Sequence, residues 1–167
     1  MSDEIAAVED ELGGVPHWYR EIFPAGPRDG FYQKLGQHSA VFVDRGKHQL
    51  VVSFDNLAEA GGTRHDREPW AGKFCADNGW SHLGIFAQPP SWFRDGALIQ
   101  YLEYLRDSGF FRQFDRVTFC GTSMGGFGAL TFSALSPGAT VIAFSPQSTL
   151  AADLVPWEKR FGKGRRM

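Results

Sequence analysis

Residues Gly121-Thr122-Ser123-Met124-Gly125 set a serine between glycines two places before and two places after it. The apolar run Val117 to Cys120 precedes them, and a small-residue segment running to about Leu135, with Gly126 and Gly128, follows. The order reads strand, sharp turn, helix. A strand that reverses directly into a helix forces strained backbone angles on the apex residue; flanking glycines give the turn room and let the helix pack closely on the sheet. The apex side chain then stands clear at a helix N-terminus. Free N–H groups and the positive end of the helix dipole face any oxyanion that develops there. This is a setting for a nucleophilic serine. The plain alternative is a glycine-rich turn with an incidental serine. The same glycines do not make a dinucleotide fingerprint, because the third glycine position after Gly126 and Gly128 is Thr131.

In its G-x-S-x-G form and its strand–turn–helix setting, this stretch resembles the nucleophile elbow of the α/β-hydrolase superfamily. The resemblance covers roughly His48 to Ser145. It implies attack of Ser123 on an ester-like carbonyl, an acyl-enzyme, then hydrolysis. It implies Met124 N–H as one oxyanion donor and a second from the loop after the third strand. That loop begins Asp55-Asn56-Leu57 and lacks the His-Gly-Gly form of many lipases, so Asn56 or Leu57 is assigned by position alone. Asp153, just after the strand that follows the elbow, is the candidate acid; capping a short helix is its structural alternative. Lipase, thioesterase, peptidase and acyltransferase are not separated.

The general base is harder to place. The superfamily order is Ser, then Asp or Glu, then His. Here His17, His38, His48, His65 and His82 all precede Ser123. Three arrangements are compatible with that order. The chain is a truncated form of a longer hydrolase, lacking the last strands and their histidine. Alternatively His65, in the polar loop Thr63 to Trp70, or a partner chain supplies the base. Otherwise the domain is non-catalytic and keeps the elbow for binding or scaffolding. His48 and His82 begin strands and so fall at the opposite edge of the sheet from Ser123.

Composition narrows the remaining classes. The 167 residues suit one domain, and 43% hydrophobic with 22% charged residues is ordinary for a globular chain. A net charge of −2 gives no general attraction to nucleic acid or a membrane surface. The acidic residues 1–16 and the basic residues 158–167 read as solvated, flexible ends. Two cysteines, Cys75 and Cys120, make no disulfide framework, and neither a signal peptide nor a membrane span is visible. A cytoplasmic protein is expected. No P-loop, S-x-x-K, H-E-x-x-H or paired-cysteine pattern occurs, so neither cofactor nor metal is expected. The expected partners are a small acyl substrate and, through an open sheet edge, a second copy.

The elements that must carry this site alternate. Phe31 to Gln37 and Ser39 to Val43 form a candidate first pair of strands. His48 to Phe54 is a continuous apolar strand of the kind covered on both faces. Ala71 to Asn78 reads as a helix ended by Gly79, and Ser81 to Ala87 as the next strand. Ser91 is the expected N-cap of a helix carrying Leu98, Tyr101, Leu102 and Leu105. Ala139 to Phe144 is a further strand after the elbow helix. The alternation predicts an α/β fold with a mostly parallel sheet flanked by helices, an α/β-hydrolase-like core without its last strands.

Overall fold

The computed structural model describes residues 15–61 and 67–162. Six strands form one sheet in the order β1-β2-β4-β3-β5-β6. They are β1 (Gly30–Leu35), β2 (His38–Val43), β3 (Gln49–Phe54), β4 (Ser81–Ala87), β5 (Arg116–Thr122) and β6 (Thr140–Phe144). The β1–β2 hairpin and the β2–β4 pair are antiparallel, while β4, β3, β5 and β6 run parallel. The expected α/β class and the mostly parallel sheet are what the chain forms. β3 and β5 are central parallel strands, which is why they read as apolar runs.

Alternate side chains of these strands serve two cores. Leu50, Val52, Phe54, Leu83, Ile85 and Phe119 pack with two helices, α3 (Gly96–Asp107) and α4 (Met124–Phe132). The other face is covered by α1 (His17–Ile22), whose Trp18 and Ile22 bury against Val41, Val43 and Phe86, and by α2 (Gly72–Asp77). β6 is one of the two edge strands, with Ile142 and Phe144 45% and 54% exposed.

Three local expectations are corrected. Ser91 does not cap α3; Asp95 does, accepting hydrogen bonds from Ala97 N at 3.0 Å and Leu98 N at 3.1 Å. The three residues between are spent on a tight turn in which Trp92 and Phe93 both take φ of 57°. Asp153 caps no helix, because residues 152–154 are a turn. The elbow helix, expected to reach about Leu135, ends at Phe132 and tightens into a 3₁₀ turn over Ser133–Leu135.

Candidate active site

β5 ends at Thr122 and α4 begins at Met124, so Ser123 alone makes the junction. Its backbone sits at φ 53° and ψ −118°, sparsely populated for a residue with a Cβ. Ser123 N donates to Phe144 O at 2.9 Å, and Ser123 O accepts from Phe127 N at 3.0 Å. The strained residue is thus pinned on both sides, to β6 and to the first turn of its helix. The flanking glycines are required by close approach. A Cβ on Gly121 would collide with the Gly125 backbone. A Cβ on Gly125 would collide with the Phe54 carbonyl and lie 2.9 Å from that of Asp55. The second contact brings the helix start against the residues that open the β3–α2 loop.

Gly125, two residues past Ser123, therefore packs against Asp55, the residue that leads into Asn56 and Leu57. Met124 N occupies the first position of a nine-residue helix, where no intrahelical acceptor exists. In the loop, Asn56 Oδ1 accepts from Ala58 N at 2.8 Å and Glu59 N at 3.1 Å. Asn56 N points at Glu59 Oε2, 3.4 Å away. Among the described residues Leu57 N has no acceptor. Burial raises the Glu59 carboxyl above its ordinary value, opposed by the Asn56 N–H and reinforced by nearby Asp55.

Two sequence candidates remain, His65 and Asp153. His65 lies outside the described residues. Asp153 is exposed, and no described residue bonds it. The other four histidines are engaged elsewhere. His17 lies 3.3 Å from Glu21 and His48 lies 3.7 Å from Asp115. His38 Nε2 is 2.6 Å from Ser91 Oγ, and burial lowers its pKa against the partial opposition of Asp95 and Asp55. His82 Nε2 is 2.7 Å from Ser53 Oγ, and burial pushes its pKa down to about 3. No described side chain hydrogen-bonds Ser123 Oγ.

Sequence reading missed the polar pairs that brace the site. Asp55 is fully buried and bound to Arg67. Its only sequence signal was a carboxylate directly behind an apolar strand. Cys75 and Cys120 are free, and burial pushes both thiols up to about 12, so neither is a nucleophile at neutral pH. Among the described residues no group of three His, Cys, Asp or Glu could hold a metal ion. A cavity of about 430 Å³ runs beside α4, lined by Phe127, Thr131, Ser148 and Thr149. A larger cavity, about 710 Å³, lies near Arg116, Val117 and Thr140, at the opposite ends of β5 and β6 from Ser123.

No family model matches the chain, and no curated protein matches it. Among solved structures it is similar to the capsule O-acetyltransferase of Neisseria meningitidis serogroup A, with a TM-score of 0.54 and 16% identity over 83% of this chain and 58% of that one. The complex of that protein with CoA gives a TM-score of 0.55 and 15% identity over 78% and 56%. An esterase of Pyrococcus furiosus follows more loosely, at a TM-score of 0.44 and 14% identity over 71% and 52%. At such identities the likeness speaks for the fold alone. The fold is α/β-hydrolase-like. The chain spans 56% to 58% of the acetyltransferase chains it matches.

Proposed function

We propose that this domain performs acyl transfer from an ester-like substrate, with Ser123 as nucleophile and Met124 N–H and Leu57 N–H receiving the oxyanion. The observation that carries this reading is the backbone of Ser123, φ 53° and ψ −118°, held at the β5–α4 junction. Backbone strain persists where the surroundings enforce it, and it clusters at functional sites. Ser123 Oγ would attack the carbonyl and pass its proton to a base, the ester C–O bond would break as that proton goes to the leaving alcohol, and water or another hydroxyl would then cleave the acyl-enzyme. The acceptor is open, because the similar fold of the capsule O-acetyltransferase accompanies transfer and not only hydrolysis. The cavity beside Phe127, one turn along α4 from Ser123, is where we place part of the substrate.

The base must come from outside the described residues. His65, a histidine in a longer form of the chain and a partner chain are the three sources. A second reading, a non-catalytic binding domain, is favoured by one observation: no described imidazole reaches Ser123. We place the protein in the cytoplasm, where its two buried thiols stay reduced. No helix among the described residues is long and apolar enough to cross a membrane. Hydrolysis of a short activated ester distinguishes the two readings. Acyl transfer predicts turnover that Ser123→Ala abolishes; equal turnover in wild type and variant would rule Ser123 out.

A further inference from the structure

We propose that Arg67 is a positioning residue for this reaction, acting through Asp55 to fix the loop 55–61 that presents Leu57 N–H. The inference rests on the acyl-transfer reading above.

The Asp55 carboxylate is wholly buried and takes three hydrogen bonds. Arg67 Nη1 donates to Oδ1 at 3.0 Å, Arg67 Nη2 donates to Oδ2 at 2.6 Å, and Ala87 N donates to Oδ2 at 2.7 Å. Ala87 O, in turn, accepts from Gly61 N at 3.1 Å. One residue at the end of β4 thus holds both ends of the loop. Between those anchors, Asn56 closes a turn through its side-chain oxygen and through Ala60 N→Asn56 O at 3.1 Å. Among the described residues the fixed turn leaves Leu57 N–H without an acceptor, and Asp55 O lies against the start of α4.

Arg67 is itself held firmly. Its guanidinium lies 4.7 Å above the Phe86 ring, and its carbonyl accepts from Trp18 Nε1 at 3.1 Å. Pro69 lies so close to β4 that a Cβ on Gly84 would overlap it. An oxyanion donor lowers the barrier only when it is fixed before the reaction. A buried carboxylate supplies that fixity only while its charge is matched, and a guanidinium fork matches both oxygens where an ammonium cannot.

The test compares two reactions at residue 123. Phosphonylation by a fluorophosphonate needs the oxyanion donors. Alkylation of Ser123→Cys by iodoacetamide needs an intact elbow but forms no oxyanion, and the buried Cys75 and Cys120 stay silent. Arg67→Gln is expected to slow phosphonylation of Ser123 on the order of 100-fold while leaving alkylation of Ser123→Cys within about twofold. Arg67→Lys should fall between, and it carries the comparison if circular dichroism shows that Arg67→Gln does not fold. Phosphonylation at the wild-type rate in a folded variant overturns the proposal and leaves the acyl-transfer reading standing. So does an equal loss in both reactions, which marks Arg67 as a general structural support. If unmodified Ser123 is not phosphonylated, both fall.

Discussion

Replacing Ser123 with glycine is predicted to make the protein more stable. Ser123 holds φ 53° and ψ −118°, angles that a Cβ resists. Such strain costs about 1–3 kcal/mol. Glycine removes it but adds about 0.5–1 kcal/mol of unfolded-chain entropy. The hydroxyl contributes little either way, since no described side chain bonds it. The net expectation is a gain of about 1 kcal/mol, or about 2–4 °C in Tm for a domain of this size. Ser123→Ala is the control: it deletes the hydroxyl but keeps the Cβ, so its stability should stay within about 0.5 kcal/mol of wild type. Urea denaturation of all three proteins isolates the strain as the difference between the two variants. A Ser123→Gly protein no more stable than Ser123→Ala would refute the claim that the junction is strained.

Gly125→Ala should destabilise by at least about 2 kcal/mol in the same urea assay, because its methyl meets the Phe54 carbonyl, which cannot move without breaking the sheet. Glu21→Gln should cost about 3–5 kcal/mol by urea denaturation. It leaves Arg45, whose side chain is 3% exposed, without a carboxylate. In the native protein Arg45 holds the Glu21 carboxyl below its usual range despite burial. Stability should also fall on acidification through His82. Its folded pKa is about 3 against an ordinary 6.5, so between those values the unfolded chain binds the extra proton. The contribution is complete above pH 6.5 and lost as pH drops, by about 1.4 kcal/mol at pH 5.5 from this residue. His82→Gln should flatten that slope of stability against pH, and an unchanged slope would refute the assignment.

The parts legible in the sequence were those encoded locally. β3 and β5 announced themselves as apolar runs, because a central parallel strand is covered on both faces. The strand–turn–helix junction at Ser123 was legible because its backbone demands glycines at fixed offsets. α1 was not read as a helix, since six helical residues leave too short a periodicity, although Trp18 and Ile22 are buried by it. Ser91 misled because a polar residue after two prolines is a good cap, yet its hydroxyl turns inward to His38, 53 positions away. Asp55 and Arg67 are only 12 positions apart, but nothing in their spacing shows that the chain folds back between them. Pairs of this kind depend on tertiary placement, which composition and period do not carry. The base stayed out of reach for the same reason, and His65 lies outside the described residues.

The central claim is that Ser123 is a working nucleophile. Intact-mass spectrometry of the purified chain, before and after a fluorophosphonate, tests it most directly. The account predicts one adduct, mapped to Ser123 and absent from Ser123→Ala. A folded protein that gains no mass would contradict it and leave the elbow as a turn that binds without reacting.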